Sequence, residues 1–197
     1  MKQHKGAVLV TPGAAGTYMM AKLVGNKKYL NGGLDFYNRH HHTGIIKNVE
    51  KVIYLYSNPY DTILSFHSRK FMNSPFHCTY MGGDVQFLNR NLGLNLRDFL
   101  NLKYDPFLLE RHFNNYYNIA GKYYSLMMVK YESLPDHIDQ VLDWLNRSEC
   151  RKNFEFIPRK SKWYEQPQVI QDLLKHTWGN LMEFQTKLPP CLIVNKK

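Results

Sequence analysis

Residues Val8–Met20, VLVTPGAAGTYMM, pose the question on which the fold turns. Val8 to Val10 end a short β-prone apolar run, Pro12-Gly13 breaks it, and a glycine/alanine turn leads through Thr17 and Tyr18 into helix-compatible residues. A buried strand, a tight loop and a helix start make the arrangement in which α/β proteins hold phosphate. The first amides of such a helix have no intrahelical partner and carry the positive end of its dipole. Gly13 and Gly16 let the backbone approach an anion, and Thr17 adds a hydroxyl. The lysine of the G-x-x-x-x-G-K-[ST] loop is absent, which argues against an ordinary nucleoside triphosphatase. The residues alone leave two readings open, a phosphate loop and a strand-to-helix turn without a ligand.

The chain has 197 residues, read as one domain spanning 1–197, with a short tail from about 188. With 44% hydrophobic and 14% aromatic residues it has the means to build a core, which argues against disorder. A formal charge of +10 points to an anionic partner such as a nucleotide, a phosphorylated or sulfated substrate, nucleic acid or an acidic membrane surface. The three cysteines, Cys78, Cys150 and Cys191, form no CxxC pair, so neither a zinc ribbon nor a disulfide framework is indicated; reduced thiols suit a cytoplasmic setting. The basic start and apolar run of MKQHKGAVLV are too short for a signal peptide. No stretch reaches the roughly 18 apolar residues of a membrane span.

Strand-like and helical patterns alternate along the chain. Ala7–Val10 reads as a strand, about Thr17–Val24 as a helix, Leu34–Asn38 as a second strand and Lys51–Ser57 as a central strand without strict alternation. Asn58 is placed to cap the next helix and Pro59 suits its first turn, with Ile63, Phe66 and Lys70 on one side and Leu64 beside them. Residues 72–94 read as irregular, with Met81–Asp84 as a turn. Leu96–Leu100 and a segment starting at Asp105-Pro106 read as helices, and Tyr123–Glu132 as a buried strand. Ser133 is expected to cap an amphipathic helix carrying Ile138, Val141, Leu142 and Leu145; a last helix spans roughly Pro167–Phe184, with Pro167 in its first turn. The pattern predicts an α/β fold, a parallel β-sheet flanked by helices on both faces.

Five segments carry a resemblance. SNPYDTILSFHSR (57–69) is similar to the R-N-P-Y-D-A-I-L-A-E-F-N-R or R-D-P-R-D-V-A-V-S stretch of sulfotransferases that use 3′-phosphoadenosine 5′-phosphosulfate (PAPS). TPGAAGTYM resembles that family's phosphosulfate loop in its P-K-S-G-T-T-W and lysine-less P-G-A-G-N-T-W forms. RHHHTG resembles K-T-H-E-S-G, YYSLMMVKYESL resembles V-L-F-L-R-Y-E-D-L, and FIPRKSKW resembles R-K-G-x-x-G-D-W. The order of the five matches and they span nearly the whole chain. The resemblance implies a P-loop, sulfotransferase-like architecture and transfer of a sulfuryl group from PAPS to a hydroxyl or amine acceptor, without a metal. It assigns the general base to His41. Gly13, Ala14, Ala15, Gly16, Thr17 and Tyr18 take the phosphosulfate loop, and Ser65, Arg69, Arg159 and Lys160 the rest of the cofactor contacts. Glu132 is structural in that register.

Departures from the pattern are concentrated in charge. Ser57 stands where the family has an arginine and Ala14 where many members have the loop lysine; the late glycines are missing around Ser161, and the chain is short. A charge-assisted hydrogen bond is worth roughly 1.5–3 kcal/mol, so Lys22, Arg69, Arg159 or Lys160 must compensate if the cofactor is to bind. The histidine run His40, His41 and His42 also admits a metal site completed by His67, His77 and Cys78, or a solvated turn; imidazole titrates near neutrality and suits a general base. The basic, aromatic segment Arg151–Trp163 suits a nucleotide or single-stranded nucleic acid. Two rival functions follow, a non-catalytic relative that binds a nucleotide or partner, and a nucleic-acid-binding protein.

This register predicts that His41→Ala abolishes sulfuryl transfer in a radiolabel assay and leaves nucleotide binding nearly intact. A dead His40→Ala or His42→Ala variant moves the register by one; three active variants remove the base from this run.

Overall fold

The sequence VEKVIYLY forms strand β2, Val49–Tyr56, and every residue from Val52 onward is buried. Both sides of this strand are apolar because both are covered. In the computed structural model, which describes residues 4–12 (4–6 as backbone only), 19–20, 23–24, 42–46, 49–158 and 162–197, β2 runs between β1 (His4–Val10) and β3 (Ser125–Lys130). Both neighbours are parallel to it, with Val8 opposite Val52 and Val10 opposite Tyr54 on one side, and Val52 opposite Leu126 and Tyr56 opposite Lys130 on the other. A fourth strand, β4 (Cys191–Val194), pairs antiparallel with β3, Leu126 facing Val194 and Met128 facing Leu192. The sheet, ordered β1-β2-β3-β4 among the described residues, is therefore mixed rather than wholly parallel. The expected tail is in part a strand. CLIV alone is too short to announce itself, and Pro189-Pro190 ends the preceding helix without preventing an edge strand from starting next to it.

Alternate residues of the strands feed two cores. Val8, Val10, Val52, Tyr54, Tyr56, Leu126 and Met128 point to one face. They pack there against helices α1 (Pro59–Ser68), α5 (Leu109–Tyr117) and α7 (Gln168–Thr186). Leu9, Ile53, Leu55, Met127 and Val129 point to the other, against helical residues Met19, Met20, Leu23 and Val24 and helix α6 (Leu134–Trp144). Helices on both faces are thus present, as the alternating pattern requires. On the first face Phe113, 1% exposed, sits edge-on to Tyr54 and Tyr56 with ring centroids 5.6 and 5.1 Å away, and the Tyr54 hydroxyl meets His112 Nδ1 at 2.8 Å.

Several expected boundaries shift for local reasons. Residues 72–94 are mostly helical: a 3-10 turn Phe71–Asn73 is followed by α2 (Pro75–Tyr80) and α3 (Val85–Arg90), capped by the Ser74 and Asp84 side chains. Met81–Asp84 is the turn between them, with Gly82 at φ +67. Helix α4 (Leu96–Asn101) lies where expected. Helix α5 begins at Leu109 and not at Asp105, because the Asp105 carboxylate accepts from the Phe107 and Leu109 amides at 3.0 and 2.7 Å and Leu108 takes a left-handed conformation. Lys70 leaves α1 at φ 60 and does not continue the apolar side. Ser133 makes no side-chain cap to α6, and Pro167 stands at the cap of α7 rather than within its first turn. The expected strand 34–38 lies outside the described residues. No described helix is long and apolar enough to cross a membrane.

Two expectations follow. Phe113→Ala opens a cavity at the junction of β2 and α5 and lowers unfolding free energy by about 3–5 kcal/mol in denaturant titration; Phe76→Ala, at a position 70% exposed, changes it by less than about 0.5 kcal/mol. Burial pushes the Asp105 carboxyl from 3.8 up to about 6, against the opposing effect of Trp178 and the backbone amides. The folded protein then holds this proton more tightly than the unfolded chain. The contribution stabilises fully below about pH 4 and is lost as pH rises through about 6. Asp105→Asn removes that slope, so the stability difference, wild type minus variant, declines with rising pH across this window; a flat or rising difference contradicts the shift.

Candidate functional site

Parallel pairing aligns the carboxyl ends of β1, β2 and β3, the end at which open α/β sheets hold ligands. Pro12, Ser57 and Tyr131 follow these strands. At the end of β2 the turn is rigid. Asn58 Oδ1 accepts from the Tyr60 amide at 2.9 Å, and the Asn58 carbonyl accepts from both the amide and the hydroxyl of Thr62 at 3.0 Å. The Ser57 hydroxyl lies 2.9 Å from Thr62 Oγ1. Ser57 is 5% exposed, so the position aligned with the family's arginine holds a small buried hydroxyl that completes the turn.

The late basic segment is tied to this turn. Asp61, in the first turn of α1 and 8% exposed, accepts from the Trp163 amide through Oδ1 at 2.7 Å. The Trp163 ring stands edge-on to Tyr60 at 5.0 Å, with Lys175 Nζ 5.5 Å from its centroid. Upstream, the Tyr131 hydroxyl donates to the Ile157 carbonyl, and its ring packs 5.3 Å from Phe156. The segment is thus fastened beyond β3 at one end and beyond β2 at the other. Its central residues Arg159 and Lys160 lie outside the described residues.

Asp61 and Ser65 are spaced i, i+4 and neighbour each other on α1, and Arg69, four residues further, is its C-terminal cap. The Asp61 bond therefore brings the Trp163 backbone to the side of α1 that carries Ser65. Ser65 is half-buried and Arg69 exposed. Gly13, Ala14, Ala15, Gly16, Thr17, Tyr18 and His41 lie outside the described residues. Sequence reasoning missed Asp61, Trp163 and Tyr131 as fasteners. Asp61 reads as an ordinary first-turn acid, and nothing in its spacing from Trp163, 102 residues away, signals that the two meet.

Below the turn, Pro12, Tyr56, Ser57, Thr62, Phe113 and Gln185 border a crevice of about 10 Å³, room for no more than a water molecule. Burial, with smaller effects of Glu132 and Cys191, pushes the Tyr56 hydroxyl up to about 12, so this floor is uncharged at neutral pH. The crevice is too small to hold a nucleotide. Lys162 and Glu165, both exposed, pair at 3.0 Å.

Of the histidine run only His42 is described. Its carbonyl accepts from Asn115 Nδ2 at 2.5 Å, and its ring lies so near Gly82 that a Cβ there would fall 2.5 Å from the ring atoms. His77 is stacked on Phe71 at 4.3 Å inside the fold. Among the described residues no three His, Cys, Asp or Glu side chains are grouped to hold a metal ion. No family model, curated protein or solved structure matches the chain.

Proposed function

We propose that the chain is a compact sulfotransferase-like domain that binds PAPS and moves its sulfuryl group to a hydroxyl or amine acceptor. The observation that carries this reading is the Asp61–Trp163 bond, which joins the SNPYD turn to the segment ending in KSKW at the carboxyl end of the parallel strands. These are two of the five segments that resemble the family, and a nucleotide bound between them would meet both. In the reading, His41 takes the proton of the acceptor, the acceptor atom bonds to sulfur, and the bridging S–O bond breaks to release 3′-phosphoadenosine 5′-phosphate (PAP). The amides of Gly13 to Tyr18 and the Thr17 hydroxyl stabilise charge on the departing phosphate. The P-loop architecture belongs to the same proposal.

A second reading, a non-catalytic relative that binds a nucleotide or partner, is favoured by Ser57. A guanidinium at this buried position would break the Ser57–Thr62 contact, so in this reading the cation facing a 3′-phosphate comes from Lys22, Arg69, Arg159 or Lys160. Binding without turnover supports that second reading.

Calorimetric titration with PAP tests the site. Micromolar binding is expected, weakened about tenfold each by Arg159→Ala and Lys160→Ala, in keeping with loss of one charged hydrogen bond of roughly 1.5 kcal/mol. Asp61→Ala, which unfastens the segment without removing a cation, weakens it too. No PAP binding removes the assignment, and salt-sensitive binding of oligonucleotides in its place identifies a nucleic-acid-binding protein.

A further inference from the structure

On the far side of α5 from the Ser57 crevice lies an open groove of about 530 Å³, within the range that small-molecule sites occupy. Tyr104, Asp105, Arg111, Asn114, Thr177 and Trp178 line it. Its charges balance, Lys103 and Arg111 against Asp105 and Glu110, on a chain whose net charge is +10. The groove therefore offers hydrogen-bonding capacity with no net formal charge in its lining. Trp178 is 2% exposed, and its Nε1 has no hydrogen-bond partner; Thr177 Oγ1 is equally buried and unpartnered. Trp178 stands close enough to Asp105 to oppose the rise in its pKa, yet not in the geometry of a hydrogen bond. Buried donors of this kind are uncommon.

The groove wall is held in place before any ligand arrives. The Tyr104 ring packs 4.4 Å from Phe87, and its hydroxyl donates to Asp84 Oδ2 at 3.2 Å. Asp105 is fixed by the Phe107 and Leu109 amides. Arg111 donates to the Gly82 carbonyl. Lys103 and Leu108, on either side of Asp105, both hold left-handed backbone conformations, φ 50 and 51, which side-chain-bearing residues adopt only where surrounding structure enforces them. Such pre-organisation lowers the entropic cost of binding.

We propose that this groove binds a neutral polyhydroxylated ring, a sugar or cyclic polyol. Its apolar C–H face lies on Tyr104, and its hydroxyls donate to Asp105 and accept from Asn114, Thr177 and Trp178. The mixture of one carboxylate, an amide, a hydroxyl and an indole N–H beside an aromatic ring matches vicinal hydroxyls, each both donor and acceptor. A lining of balanced charge favours a neutral ligand over a strongly anionic one. The site goes beyond the nucleotide reading and is tested on the protein alone, so failure of either leaves the other standing.

Saturation-transfer NMR and tryptophan fluorescence with cellobiose, lactose, maltose and myo-inositol provide the assay. At least one is expected to bind with a Kd of about 1 mM or below. Tyr104→Ala and Asn114→Ala each weaken it by about tenfold or more, while thermal melting shows that both variants remain folded; Asp105→Asn weakens it similarly. Glucuronate binds less well than glucose. The proposal is overturned if none of the four binds, if binding survives Tyr104→Ala and Asn114→Ala in folded protein, or if the acid sugar binds better than the neutral one.

Discussion

Burial of β2 on both faces is the constraint from which the architecture follows. Val52, Tyr54 and Tyr56 supply one core and Ile53 and Leu55 the other, so a single five-residue run belongs to both layers of helices. At roughly 25 cal/mol per Å² of apolar surface removed from water, a central strand of this kind outweighs any surface contact in the chain. Its register with β1 and β3 then brings Pro12, Ser57 and Tyr131 to one end of the sheet. The stiffness of the Asn58 turn is a local addition: the hydroxyls and carbonyl of Ser57, Asn58 and Thr62 satisfy one another and leave little freedom to the start of α1.

What could be read from the chain was the part governed by short-range pattern. The β-branched and aromatic run of β2 and the Asn58-Pro59 helix start were legible because residue type and spacing decide them. The antiparallel strand Cys191–Val194 was not, since only its pairing with β3 distinguishes four apolar residues from a tail. The start of α5 was misplaced because the Asp105 carboxylate competes with the helix for two amides, a choice that pattern alone leaves open. For the candidate site the contrast is sharper. The bond that fastens the late segment, Asp61 to Trp163, links distant parts of the chain and has no local signature.

The fastening of the late segment rests on contacts of modest size. A buried hydrogen bond to a carboxylate contributes about 1.5–3 kcal/mol, and the Tyr60–Trp163 edge contact adds about 0.5–1.5 kcal/mol. Together these hold Trp163 against the turn at the start of α1. Tyr131 holds the other end, at Phe156 and Ile157.

The position of β4 has a consequence for how the protein is made. During synthesis β1, β2 and β3 leave the ribosome before Cys191–Val194, so the outer edge of β3, with Leu126 to Val129 along it, waits unpaired until the end of α7 has emerged. An apolar strand edge of that kind is a template for pairing with another nascent chain. Lys130 at its end, whose amide bonds to the Pro190 carbonyl once β4 arrives, places a charge at the only border of this edge that adjoins the turn into α6. Yield of soluble protein should accordingly depend on β4 far more than its four residues suggest.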